Sequence, residues 1–373
     1  MTPRPLYLFL AASMLLGCGG DSGNGGPHGP FTPPDARGDF QAGWRDLIAT
    51  SGAGIELPVD LWYPVSAGVE ATVAYDSFGI TKGSAVVGGA ADCTEPRPVV
   101  LFSHGNGGIG FQSFTLTQHL ARHGYVVVAP DHVHNTFMDM DEDLQPELFL
   151  RRPLDIAGSY DWLVAWAAEP GSPLHGCVDP AAGYAVAGHS FGGFTSLAVS
   201  GAPLDIEALV GGCEGDERTG CDTIRAWAAD HPDAPTSDRS DPRVWASVPI
   251  APAWYEFLGQ GLARIPVPTL VIGADRDDDT PWDSTVLPAY QGLTARPRYL
   301  ARFADAGHYS FTEMCTLLGS TYNGCGDDMQ PPEQVLPLLG TLTLALLEVV
   351  RGEHRAREWL PPQGGIDLWE SVE

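Results

Sequence analysis

The sequence predicts an α/β protein: a mostly parallel, doubly wound sheet with helices on both faces. Three observations predict it. Continuous apolar runs at 98–102 and 125–130 have the length and composition of strands buried on both faces. They alternate with segments that carry apolar residues at helical spacing, such as 155–168 with Ile156, Tyr160, Leu163, Val164 and Ala167. Between the apolar run 184–187 and the helical segment 194–199 stands Gly188-His189-Ser190-Phe191-Gly192, a G-x-S-x-G pattern followed by Gly193. Strand and helix in alternation are the mark of a parallel sheet with helical crossovers.

In chain order, 40–48 and 57–63 read as two early strands, the second partly alternating and ending at Pro64. Residues 71–92 are small and Gly-rich and read as an irregular loop. Strand 98–102 runs into Ser103-His104-Gly105-Asn106-Gly107-Gly108. A helix is expected over 112–123, a strand over 125–130, then a loop over 131–143 and a helix opening near 146–150. After the G-x-S-x-G helix, 201–243 is a long polar excursion. A loop of that length inside a domain is usually functional, so it reads as an insert near the site. Val244–Ile250, 267–273 and Arg298–Phe303 are further strands, and Pro332–Val350 is the closing helix. The domain is expected over 39–355, with 356–373 as a C-terminal appendage.

The chain has 373 residues, 44% of them hydrophobic, enough for a sizeable core and against global disorder. Its 47 acidic residues against 20 basic ones give a formal charge of -27. Such a surface repels phosphate backbones, so nucleic acid is not an expected partner. It also disfavours adsorption to anionic lipid through charge alone.

The amino terminus reads as a targeting segment over 1–17. Arg4 precedes an apolar run at 6–16, shorter than the ~20 residues that span a bilayer. Leu15-Leu16-Gly17-Cys18 resembles a bacterial lipobox, which implies cleavage before Cys18 and lipidation of its sulfur. An ordinary signal peptide with an incidental cysteine is the alternative. Residues 18–38 are rich in Gly, Ser and Pro and read as a flexible tether. The expected location is the bacterial cell envelope, with the membrane reached through the lipid anchor only. Removing Cys18 leaves Cys93, Cys177, Cys213, Cys221, Cys315 and Cys325, an even set that suggests disulfides in an exported protein. No C-x-x-C spacing supports a metal.

A serine hydroxyl is a weak nucleophile until a histidine takes its proton and an acid orients that histidine. Strand, G-x-S-x-G and helix together form a nucleophile elbow, with Ser190 exposed at the carboxyl edge of the sheet. The histidine is His308, in Asp305-Ala306-Gly307-His308 after the last strand. The acid lies among the four aspartates of Asp275-Arg276-Asp277-Asp278-Asp279, a loop acidic enough to admit calcium as an alternative. Oxyanion donors are expected at the N–H of Phe191, next after the nucleophile, and at the N–H of Asn106 in the Gly-rich loop. His132 and His134 follow a strand near the same edge. A metal pair is one reading, and hydrogen bonding behind the site by His132 is the other. Trp254 and Trp282 follow strand ends, where either can line an acyl pocket.

These pieces resemble the α/β-hydrolase fold. More narrowly they are similar to the platelet-activating-factor acetylhydrolase and dienelactone-hydrolase-like group, near the bacterial cutinases. The resemblance rests on 57–64, Phe102-Ser103-His104-Gly105, Ala129-Pro130-Asp131-His132, Arg152-Pro153-Leu154-Asp155, the elbow and Ala306-Gly307-His308, and covers about 40–350. It implies an exported serine carboxylester hydrolase without cofactor or metal, acting on a small-molecule or polymeric ester. Cutin-type polyester or phospholipid acyl hydrolysis is a narrower possibility, and a catalytically silent surface-binding lipoprotein is the reading from another class. The acetylhydrolase branch takes its acid after the preceding strand, where this chain has Pro252, so the resemblance moves the role to the next strand end. Those families commonly place it four residues before a proline. Counting from Pro281 that is Asp277, with Asp275 second. The fold also makes strands 98–102 and 184–187 neighbours, which pairs Cys93 with Cys177 and leaves Cys213–Cys221 and Cys315–Cys325 as local loops.

Overall fold

The apolar runs form the middle of one sheet. A computed structural model describes residues 31–373 apart from 53, 72, 78–79, 319–322 and 361–363. Cys18, the segment 1–17 and the first part of the tether lie outside the described residues. The chain begins with strands β1 (Gln41–Thr50), β2 (Glu56–Val65), β3 (Val73–Ser77), β4 (Ile80–Val87) and β5 (Val99–Ser103). Then come α1 (Phe114–Arg122), β6 (Val126–Pro130), α2 (Leu148–Ala168), β7 (Tyr184–His189) and α3 (Phe191–Val199). After β8 (Leu204–Asp205), α4 (Ile206–Gly212), α5 (Thr219–Asp230) and β9 (Thr236–Ser237), the sheet resumes with β10 (Val244–Ile250) and β11 (Thr269–Ala274). It closes with α6 (Leu287–Gln291), β12 (Arg298–Phe303), α7 (Met314–Leu318), α8 (Pro332–Val350) and β13 (Ile366–Val372).

Eleven strands lie in the order β13-β12-β11-β10-β7-β5-β6-β2-β1-β4-β3. The run from β12 to β6 is parallel throughout. Every residue of β5, β6, β7 and β11 is buried, as continuous apolar strands covered on both faces require. The chain leaves β5 through α1 to β6 on one side, then returns through α2 to β7 on the other. Right-handed crossovers running in opposite directions put their helices on opposite faces. Accordingly α1 packs with α8, and α2 packs with α3. The reversal between β5 and β7 opens a crevice at their carboxyl ends, where open α/β sheets hold ligands.

Four expectations need correction. Residues 71–92 are not an irregular loop but hold β3 and β4, which pair with each other and with β1. The excursion 201–243 holds α4, α5 and the β8–β9 ribbon. Its helices each bury only two large apolar side chains or a cystine, Ile206 with Leu209 and Cys221 with Ile224, so their apolar stripe is too thin to read. The tail 356–373 is not an appendage: β13 pairs antiparallel with β12 and covers what would be an open edge. Trp369 stacks on Tyr299 at 5.7 Å and Arg302 pairs with Asp367 at 2.8 Å. Finally, the folded unit begins at Thr32 rather than 39. Pro34 and Gly38 are buried, and a Cβ on Gly38 would lie 2.1 Å from the Arg122 carbonyl oxygen.

The cysteines pair as Cys93–Cys177, Cys213–Cys221 and Cys315–Cys325. The first joins the segments that enter β5 and β7, which are adjacent in the sheet. Disulfides of this number fit an oxidising compartment.

Candidate active site

β7 ends at His189 and α3 begins at Phe191, so Ser190 alone makes the turn. Its backbone sits at φ 57°, ψ −116°, a strained conformation for a residue with a Cβ. Neighbours over-determine it. Ser190 N–H donates to the Ile250 carbonyl, and the Gly193 and Ala253 N–H groups donate to the Ser190 carbonyl. The flanking glycines are required by contact: a Cβ on Gly188 would lie 2.3 Å from the Gly192 oxygen, and one on Gly192 would lie 1.8 Å from the Ser103 oxygen. Strain held in this way is a feature of functional turns.

His308 opens a short turn after β12, and Asp277 lies in the loop after β11. His308 Nδ1 donates to Asp277 Oδ2 at 2.8 Å, across 31 residues of sequence. Thr280 donates twice to the same carboxylate, through its hydroxyl at 2.7 Å and its N–H at 2.7 Å. Burial alone would raise the Asp277 pKa, but the bonds from His308 and Thr280 outweigh it and hold the carboxyl below its usual range. A carboxylate at Nδ1 fixes that proton and leaves the lone pair on Nε2. Asp275 turns elsewhere, accepting from the Ala306 N–H at 3.2 Å, and Asp278 and Asp279 are exposed. The four aspartates therefore diverge, and Asp277 alone meets the histidine.

Ser190 and His308 line one cleft of about 350 Å³. Asn106 reaches it from the loop after β5, and Trp254 from the turn after β10. The Phe191 N–H is the first of α3 and has no acceptor within the helix. Neither it nor the Asn106 N–H donates to a backbone carbonyl among the described residues. Trp282 is buried and does not line the cleft. No residue of 201–243 lines it either; α4 packs behind it on the turn holding Phe257, and α5 on the turn at Gln145–Glu147. A larger hollow of about 420 Å³, beside Cys315–Cys325, has no nucleophile and base together.

Behind the cleft lies a buried polar network that the sequence reading missed, apart from His132. Arg152 is fully buried. Its guanidinium donates to Asn135 Oδ1 at 2.8 Å, to Ser103 Oγ at 3.0 Å and to the His104 carbonyl, and lies 4.3 Å from the Phe191 ring centroid. Asn135 Nδ2 donates onward to Asn106 Oδ1 at 2.8 Å. His132 Nδ1 donates to Asp155 at 2.9 Å, and Ser103 Oγ donates to His132 Nε2 at 2.9 Å. Burial, then the charge of Arg152, keeps the His132 pKa well below its usual range. Burial pushes Asp155 up to about 7. The available signal was the Arg152/Asp155 spacing, which puts both on the same face of α2 as Ile156 and Ser159.

His189, the variable residue of the elbow pattern, was also missed. Its Nε2 donates to the His308 carbonyl at 2.9 Å, and its Nδ1 accepts from Gln112 at 3.3 Å. Burial, then His308, brings its pKa down to about 3, so it stays a neutral strut. Both ring nitrogens of His132 are spent, on Ser103 and Asp155, which leaves it none for a metal shared with His134. Among the described residues, no group of three or more His, Cys, Asp or Glu could hold a metal ion. No family model matches this sequence, and no curated protein matches it.

Proposed function

We propose that this chain is a serine carboxylester hydrolase of the α/β-hydrolase type. One observation carries the reading: a strained serine at the sheet's reversal point shares a cleft with a histidine whose Nδ1 is held by a buried carboxylate. Ser190 Oγ attacks the ester carbonyl carbon while His308 Nε2 takes its proton. The carbonyl becomes an oxyanion held by the N–H groups of Asn106 and Phe191. Asp277 stabilises the imidazolium. The tetrahedral adduct collapses, its C–O bond breaks, and the alcohol leaves with the proton from His308. A water then attacks the acyl-serine, giving its proton to His308, and the acid departs as that proton returns to Ser190.

The resemblance to the acetylhydrolase and dienelactone-hydrolase-like group supports the same reading. The disulfides fit its corollary, an exported protein; the lipobox-like sequence at Cys18 is the only support for a lipid anchor. The test is covalent labelling with a fluorophosphonate, read by mass spectrometry at Ser190, together with turnover of neutral short-chain esters. Labelling at Ser190 and ester turnover lost in Ser190→Ala are expected. An unlabelled protein without esterase activity overturns the proposal in favour of a binding role.

A further inference from the structure

The cleft is small and its walls are mostly polar. At about 350 Å³ it stands at the low end of small-molecule sites, which run from about 300 to 1,000 Å³. Long apolar chains find no matching surface there. Two acidic residues line it, Glu256 from the turn after β10 and Asp279 from the loop after β11. Both are exposed, and neither carboxylate is paired with a cation among the described residues. Among the described residues, no lysine or arginine lines the cleft. Two aromatic side chains flank the same space, Trp254 and Tyr309. Trp254 is held in the left-handed region at φ 51°, with its ring edge-on to Phe149 at 5.4 Å and Phe191 at 4.8 Å. Aromatic faces beside carboxylates attract organic cations. Into this space points Ser190, 8% exposed, its hydroxyl bonded to no other group among the described residues.

We propose that the preferred substrates are short-chain esters whose alcohol carries a positive charge. The proposal rests on the esterase reading and names the substrate class of that site. The alcohol departs to solvent, and Glu256 and Asp279 are exposed carboxylates of the lining, so the charge belongs on the alcohol. Anionic alcohols meet like charge and no compensating cation. The net charge of -27 attracts any cation at long range, so local and global effects need separating.

The experiment compares kcat/KM for acetylcholine, its neutral isostere 3,3-dimethylbutyl acetate, and the anion acetoxyacetate at low salt. The cationic ester is expected to exceed the neutral one by about tenfold, mostly through KM, with the anion lowest; this is the scale of two exposed charge pairs. The double variant Glu256→Gln/Asp279→Asn should bring the cationic and neutral esters together. Glu70→Gln/Glu169→Gln makes the same charge change at the other edge of the sheet and should leave the ratio as it was. A wild-type ratio near one, or a ratio untouched by the first pair, overturns the proposal. Failure of all three esters to turn over overturns the esterase reading instead. The pocket is then tested without turnover, by calorimetric binding of phenyltrimethylammonium to Ser190→Ala with and without Glu256→Gln/Asp279→Asn. Binding that is absent, or indifferent to those carboxylates, sinks it.

Discussion

The molecule holds two Ser–His–Asp chains, Ser190 with His308 and Asp277, and Ser103 with His132 and Asp155. Their composition is the same and their circumstances are opposite. Every member of the second chain is fully buried. Its serine is saturated, donating to His132 and accepting from Arg152. Ser190 sits in a strained turn at the wall of a cleft, and its hydroxyl is bonded to no other group among the described residues. The carboxylates differ likewise. Asp277 is held below the usual range by four donated hydrogen bonds, while burial pushes Asp155 up to about 7. On the esterase reading, reactivity then follows access and hydrogen-bond vacancy, not the presence of three residue types. The buried chain fixes loops, and the open one is the candidate to meet substrate.

The comparison breaks most sharply at the serines. Ser190→Ala and Asp277→Asn are each expected to cut ester turnover by about 10⁴ or more, while Asp275→Asn stays within about tenfold. If Asp275→Asn is the damaging one, the acid has been misassigned. Ser103→Ala should leave turnover near wild type. Instead it strips His132 Nε2 of its donor in a dry core and costs about 1–3 kcal/mol in urea unfolding. A loss of turnover in Ser103→Ala, with the fold intact, would erase the distinction between the two chains.

Asn135 ties the buried chain to the cleft, since it joins Arg152, which donates to Ser103, to Asn106 in the cleft lining. Asn135→Leu releases Asn106 and should lower kcat by about 10- to 100-fold with KM little changed, as for a displaced oxyanion donor. A change confined to KM would instead make Asn135 part of ground-state binding. A further effect is on pH. Asp155 binds its proton more tightly folded than unfolded, so folding stability falls as pH rises from about 4 to about 7 and levels off above that, by up to about 1.4 kcal/mol per pH unit. Asp277 works the other way, its stabilisation being lost as pH falls below the ordinary carboxylate range. Urea midpoints measured across pH should flatten between 4 and 7 in Asp155→Asn; an unchanged slope would mean that the buried carboxyl is not the cause.

Local physics made part of this readable from residues alone. Strands β5, β6 and β7 are buried on both faces, so their apolar runs announce them. The elbow is confined to five residues because its glycines answer to contacts only a few atoms away, and the pattern survives in one dimension. The Cys93–Cys177 pairing came through the resemblance, because the α/β-hydrolase fold makes the two strands those cysteines enter neighbours. The rest depended on distance. Asp277 is told from Asp275 by which carboxylate faces His308, and that is set by how two loops cross. His189 bonds a carbonyl 119 residues away, and Arg152 bonds the end of β5, at Ser103 and His104, together with Asn135 in the loop after β6. β13 carries Asp367 and Glu370 and lacks an apolar run, because an edge strand is held by backbone pairing to β12 more than by burial. Sequence by itself determined what each segment prefers locally; only the tertiary structure decided which polar groups meet, because a buried hydrogen bond is chosen by geometry among partners far apart in the chain.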